Sequence, residues 1–243
     1  MPADPHAGTF DRPHGRIIAA LDVPSAEQAL ALAGRLAGHV GLVKVGLELF
    51  VAEGPSVVAA LRQRHPDLGI FLDLKLHDIP NTMGAAVRAA RRLGAAFLTV
   101  HAAAGVAHLR ACVEAADGAL GILAVTVLTS QDARALAEAG ATRTVEELVA
   151  MRAECAARAG CAGIVCSGRE LAAVRRAAPG LATVVPGIRP AGAGADDQVR
   201  VMTPGRAVRA GADYLVVGRP IRTAPDPAAA ADAIAAEVAA AAP

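Results

Sequence analysis

Short apolar runs alternate along this chain with longer segments of helical spacing. Arg16 to Asp22, RIIAALD, is an apolar run closed by an aspartate, and Pro24-Ser25 then opens an alanine-rich segment with helical periodicity to about Gly38. Leu42 to Gly46, LVKVG, repeats the pattern, with a helical stretch through Arg64. A third strand lies in Phe71 to Thr82, FLDLKLHDIPNT, followed by a helix from about Asn81 to Leu93. The fourth is Phe97 to His101, with a helix over Val106 to Ala116, and the fifth is Gly121 to Leu128. A polar, alanine-rich region and a helix over Val145 to Ala159, ended by Gly160, lead to a sixth run at Gly163 to Ser167. After a helix over Arg169 to Ala177, Leu181 to Ile188 supplies the seventh strand, and residues 189 to 198 read as a flexible glycine-rich loop. A helical segment ending near Ala210, an eighth strand at Asp213 to Gly218 and a helix from roughly Pro227 to Ala242 complete the pattern.

Eight strand signals alternating with helices, in a chain close to the ~250 residues of a closed eight-stranded barrel, predict a single α/β domain of the (β/α)8 TIM-barrel type. A doubly wound open sheet is the alternative. No GxGxxG follows the first strand, which lowers the weight of a dinucleotide fold. The reading assigns residues 1–15 to a flexible N-terminal tail and residues 16–243 to the barrel.

Composition narrows this further. Apolar residues make up 54% of the 243 positions and aromatics 2%, so the core is expected to be built largely from Ala, Val, Leu and Ile. The longest stretch free of Asp, Glu, Lys and Arg runs from Leu93 to Leu109 and contains two histidines and two glycines, which argues against a membrane span. The opening MPADPHAGTFDRPHG has no apolar core of the signal-peptide type. Cys112, Cys155, Cys161 and Cys166 lack CxxC spacing and are expected as buried free thiols, consistent with a cytoplasmic protein. A formal net charge of +1 leaves no electrostatic footprint for nucleic acid or an anionic membrane.

The charges that remain are unusually placed. Side chains alternate across a strand, so Phe71, Asp73 and Lys75 share one face while Leu72, Leu74 and Leu76 share the other. Asp22, Lys44, Asp73 and Lys75 all fall at or near the C-terminal ends of the first three strands, where barrels do chemistry and where they would converge. Alternating lysines and aspartates neutralise one another and hold each other in place. Asp78, three residues past Lys75 and just before Ile79-Pro80, does not share that face. Two readings stay open for it: a loop presenting Asp78, Ile79 and Thr82 to a second subunit, or a turn or helix-capping residue.

A second constellation is VVPGIRP, residues 184–190, with VVGRPI, residues 216–221. Glycines after strands seven and eight allow close backbone approach to a phosphate, and Arg189 and Arg219 add charge-assisted contacts. Gln198 is placed to close over a ligand, or is an exposed loop glutamine. His77 and His101 lack HxH, HExxH or carboxylate companions and are expected to be hydrogen-bonded structural residues, not metal ligands. A Mg²⁺ between Asp73 and Asp78 would compete with Lys75 for the same space.

In order and spacing, IAALD, LVKVG, FLDLKLHDIPNT, AVTVLTS, VVPGIRP, DDQ, MTP and VVGRPI resemble the bacterial orotidine 5'-phosphate decarboxylases, from about Arg16 to the C-terminus. The resemblance implies a TIM-barrel homodimer that converts orotidine 5'-phosphate to UMP and CO2 without a cofactor or metal, the last step of de novo UMP synthesis. It also implies that Lys75 is the proton donor and Asp73 lies beside the substrate carboxylate, with Asp22 and Lys44 on the ribose hydroxyls. Asp78, Ile79 and Thr82 would come from the partner subunit. Thr129 matches a residue on the pyrimidine side, Gln198 one that links base and phosphate, and Gly218, Arg219 and Arg189 the phosphate grip. Val185 departs from the threonine often expected before Pro186, and the segment before Arg16 has no counterpart in the pattern. Both departures bear on fine substrate contacts, not on the reaction type. A related sugar-phosphate decarboxylase using Mg²⁺, a Schiff-base aldolase and a non-catalytic nucleotide sensor are the competing readings.

Overall fold

The apolar runs become strands, and the strands close. In the computed structural model, which describes residues 12–190 and 201–242, the strands are β1 (Ile17–Ala20), β2 (Leu42–Gly46), β3 (Gly69–Leu76), β4 (Phe97–His101), β5 (Gly121–Val125), β6 (Gly163–Val165), β7 (Ala182–Val185) and β8 (Tyr214–Val217). They form a closed parallel barrel in sequence order, with β8 pairing back onto β1. The (β/α)8 TIM barrel expected from the alternation is therefore the observed fold, and the open sheet is excluded.

Helices fill the connections. α1 (Ala26–Leu36) follows β1, and α2 (Leu47–Glu53) and α3 (Ser56–Arg64) follow β2. α4 (Pro80–Arg92) and α5 (Val106–Ala116) follow β3 and β4, and α6 (Ala133–Glu138) and α7 (Val145–Ala159) follow β5. α8 (Leu171–Ala177), α9 (Pro204–Arg209), α10 (Arg219–Arg222) and α11 (Pro227–Ala241) complete the ring. The caps are written in the sequence. Ser25 accepts from the Gln28 amide at the start of α1, and Thr144 with Glu147 forms a capping box on α7. The single helical stretch expected through Arg64 is two helices, because Gly54 takes a φ of 65° and Pro55 cannot supply an amide to continue the ladder. Several strands stop two or three residues short of their apolar runs. Just past the strands, the Leu21, Thr126 and Cys166 amides still donate to the carbonyls of Lys44, Val165 and Val184 on the neighbouring strands.

Two cores result. Ala, Val, Leu and Ile dominate the layer between barrel and helices, as the composition requires. Inside the barrel lies a separate cluster containing Ile18, Leu42, Leu123 and Val184, and three of the chain's five aromatic side chains are there too. Phe97 sits edge-on to both Phe71 and Tyr214, with ring centroids 6.5 and 5.5 Å apart. This plug makes the barrel interior a packed floor, not a channel.

At the N-terminal end of the strands, Arg175 donates to the carbonyls of Leu181 and Gly211, to Thr183 Oγ1 and to Asp213 Oδ2, which stitches α8 to the entries of β7 and β8. On the outside of the barrel, Asp232 of α11 meets His14 Nε2 at 2.9 Å and His39 Nδ1 at 2.8 Å. His14 belongs to a short 3-10 helix, Pro13–Arg16; residues 1–11 lie outside the described residues. Among the described residues no helix is long and apolar enough to cross a membrane.

All four cysteines are free thiols, as expected, and three of them are buried. Burial pushes the Cys112 thiol up to about 11 and Cys161 up to about 12, and it raises Cys166 as well. Cys155 is only partly buried. With a chromogenic disulfide reagent at pH 8, Cys155 should react first and the other three only after addition of denaturant. Rapid reaction of all four thiols in the native protein would contradict this packing.

Candidate active site

The mouth of the barrel holds a cavity of about 500 Å³. Its floor is the aromatic plug, through Phe71, and its walls are the ends of the strands. Asp22, Lys44, Asp73, Lys75, Thr129, Arg189, Gly218 and Arg219 all line it, so eight residues singled out from sequence meet in one space.

The charged wall is a linear chain of contacts. Lys44 Nζ is 2.8 Å from Asp22 Oδ1 and 3.8 Å from Asp73 Oδ2, and Lys75 Nζ is 2.8 Å from Asp73 Oδ1. The order is carboxylate, ammonium, carboxylate, ammonium. Lys44 is 8% exposed, and a buried ammonium is tolerated only with such partners, since removing a carboxylate would leave an uncompensated charge. Gly46 makes room for this contact: a Cβ there would lie 2.8 Å from Lys44 Nζ and 3.2 Å from Asp22 Oδ1.

The alternation expected in β3 holds in outcome but not in regularity. Phe71, Asp73 and Lys75 do face the cavity, while Leu72 is in the outer core and Leu74 and Leu76 pack against it. Yet the register with β4 jumps: Leu72 pairs with Leu98 and Leu76 with Val100, so four steps on β3 match two on β4. An offset of two preserves which face each residue takes, whereas an offset of one would reverse it. The strain gathers at Lys75, whose φ is 49°, rare for a residue with a Cβ.

Thr99 of β4 holds that conformation. Its Oγ1 accepts the Lys75 amide at 2.9 Å, and its hydroxyl donates to Asp73 Oδ1 at 3.0 Å, all in a fully buried position. Sequence reasoning missed Thr99 and Gly46. A threonine within an apolar strand reads as an ordinary β-former, and its register opposite the bulge is visible only once β3 and β4 are paired.

The opposite wall is lined by glycine and arginine, through Gly187, Arg189, Gly218 and Arg219. Gly187 has a φ of 76°, a conformation that favours glycine, and it turns the chain after β7 into the cavity. Arg189 pairs by its backbone with Met202, its amide donating to the Met202 carbonyl at 3.0 Å, while the Met202 amide donates to the Gly187 carbonyl at 3.2 Å. This bridge fixes both sides of residues 191–200. Gln198 lies outside the described residues.

Asp78, Ile79 and Thr82 do not line the cavity. All three are exposed, and Asp78 Oδ1 accepts the Ile79 amide at 2.6 Å just ahead of α4. His77 and His101 sit beside the site on a second cavity, their rings 5.5 Å apart. Burial, then the neighbouring His77 and Lys75, lower the His101 pKa. Among the described residues no group of three or more His, Cys, Asp or Glu side chains could hold a metal ion.

Comparison with known proteins bears on this arrangement. The family model described as "Orotidine 5'-phosphate decarboxylase / HUMPS family" matches residues 15–234. The chain belongs to this family. The orotidine 5'-phosphate decarboxylase of Anaeromyxobacter sp. strain K is 57% identical over 227 residues, covering 93% of this chain and 99% of that one. The Moorella thermoacetica protein of the same name is 51% identical over 233 residues, 92% of each chain. Among solved structures, the orotidine 5'-phosphate decarboxylase of Lactobacillus acidophilus matches with a TM-score of 0.80 at 36% identity, covering 91% of this chain and 98% of that one. Family membership covers the barrel and both walls of the cavity.

Thr99→Val keeps the shape of the side chain and removes both hydrogen bonds. It should lower unfolding free energy by about 1–3 kcal/mol, because the Lys75 amide loses its acceptor. Thr99→Ser should recover most of the loss. Urea unfolding of the three proteins measures it, and equal midpoints for wild type and the valine variant would count against the role of Thr99.

Proposed function

We propose that this chain decarboxylates orotidine 5'-phosphate to UMP and CO2, as a carboxy-lyase in the last step of UMP synthesis. The observation that carries the reading is the Lys75–Asp73 pair, set in a chain of four alternating charges and facing an arginine- and glycine-lined wall in a member of this family.

Losing CO2 from the pyrimidine breaks the bond between the carboxyl carbon and the ring and leaves the electron pair on the ring carbon. Water stabilises that charge poorly. A preorganised ammonium does better, since its orientation costs nothing at the moment of reaction. Lys75 Nζ then gives a proton to the ring carbon, so one residue supplies electrostatic stabilisation and acid catalysis. Asp73 pairs with Lys75 at 2.8 Å and stands beside the substrate carboxylate. Asp22 and Lys44 hold the ribose hydroxyls, and Thr129 faces the pyrimidine. Gly218, Arg219 and Arg189 grip the phosphate, with Gln198 joining base and phosphate. Binding energy from that remote group is expressed at the reacting carbon. No cofactor enters this scheme.

The protein works in this proposal as a cytoplasmic homodimer, with Asp78, Ile79 and Thr82 completing the neighbouring site. Support comes from exposed apolar side chains on one sector of the mouth: Leu47, Val51 and Ile79 are 53, 80 and 63% exposed, and they follow the neighbouring strands β2 and β3.

Purified protein given orotidine 5'-phosphate should release UMP and CO2 at the same rate with and without EDTA. No UMP would sink the assignment, and activity lost to the chelator would favour a metal-dependent sugar-phosphate reaction. Lys75→Ala should abolish turnover while UMP binding remains measurable by calorimetry. Normal turnover in that variant would remove Lys75 from the chemistry. Mixing Lys75→Ala with Asp78→Ala subunits should restore activity to about a quarter of wild type, because half of the dimers are mixed and each of those holds one intact site. No recovery on mixing would argue against a shared site.

A further inference from the structure

The chain carries a third arginine at the phosphate wall. Arg222 lines the same cavity as Arg189 and Arg219 and stands three residues after Arg219 in α10, so the two project from one side of that turn. Its Nε is buried and meets no hydrogen-bond acceptor among the described residues. Burying a guanidinium N–H without an acceptor is costly, and the other part-buried arginines of the barrel offset it with hydrogen bonds from elsewhere in the side chain. Arg175 donates to Pro179, Leu181, Thr183, Gly211 and Asp213. Arg152, which also has a buried Nε without a partner, still donates through Nη1 to the Thr126 carbonyl.

We infer that Arg222 is a further phosphate-binding residue, whose unfilled donor is completed by the phosphoryl oxygens of the bound nucleotide. This rests on the reading of the site given above and extends it to a residue that reading does not use.

Charge supports the inference independently of geometry. The described residues of the cavity wall present five cations (Lys44, Lys75, Arg189, Arg219 and Arg222) against two carboxylates, Asp22 and Asp73, a surplus of three positive charges. Orotidine 5'-phosphate brings about three negative charges near pH 7, nearly two on the phosphate and one on the carboxylate. After CO2 leaves uncharged and Lys75 gives up its proton, the surplus falls to two against the two charges of UMP. With the Asp78 that the partner subunit contributes in the reading above, the site is one positive charge short of its ligand at both stages. Without Arg222 it would be two charges short, in a partly buried space where an unmatched charge is expensive.

The test compares UMP with uridine, which lacks only the phosphate, by calorimetry on wild type, Arg219→Gln, Arg222→Gln and Arg222→Lys. Arg222→Gln should weaken UMP about 10- to 100-fold and leave uridine nearly unchanged, so the preference for UMP shrinks by that factor. Arg222→Lys, which keeps the charge and loses the fork, should fall between it and wild type. Circular dichroism melting confirms that each variant is folded, and the lysine variant carries the comparison where the glutamine variant unfolds. Full retention of the UMP preference in both Arg222 variants, while Arg219→Gln loses it, would overturn the assignment of Arg222 alone. A wild type that does not distinguish UMP from uridine would overturn the phosphate wall altogether, and this inference with it.

Discussion

Two ammonium groups and two carboxylates share one wall of a partly buried cavity, and there they alternate. Each lysine must touch an aspartate and no lysine may touch another, because an unpaired buried charge costs several kcal/mol. The order Asp22, Lys44, Asp73, Lys75 meets that condition, with successive contacts of 2.8, 3.8 and 2.8 Å. Much of the surrounding structure serves it. Gly46 leaves space for the first contact, Thr99 fixes the last, and β3 gives up its regular register so that Lys75 can reach Asp73.

The two walls of the cavity are made by different means. The ionic wall comes from side chains on β2 and β3 and the residues just past β1, which are rigid elements tied into the ladder. The other wall comes from turns after β7 and β8, where Gly187, Arg189, Gly218 and Arg219 line the cavity. In the proposed reaction, rigid strands suit the side where proton transfer demands fixed distances. In the same proposal, turns suit the side that only has to hold an anion.

The barrel was legible in the sequence because parallel strands buried on both faces read as plain apolar runs, and because charges interrupt those runs only near their C-terminal ends. Lys44, Asp73 and Lys75 stood out for that reason. Arg189 and Arg219 were found through the glycines beside them, a signal that Arg222 lacks. Thr99 was hidden because its role depends on which residue of β3 it faces across the bulge, a tertiary fact with no local trace. The break between α2 and α3 was written plainly in Gly54-Pro55, but the helical spacing on either side masked it. For Asp78, strand geometry predicted only that it leaves the face of Lys75, and its exposed position outside the cavity lining agrees.

The aromatic plug has an optical consequence. The chain has no tryptophan and one tyrosine, and that tyrosine, Tyr214, is fully buried in the barrel floor with its ring 5.5 Å from Phe97. Phe97 in turn contacts Phe71, which forms part of the cavity floor. Intrinsic ultraviolet emission excited above the phenylalanine band therefore comes from a single ring two side chains below the cavity, so this protein carries its own spectroscopic reporter of barrel packing without any label.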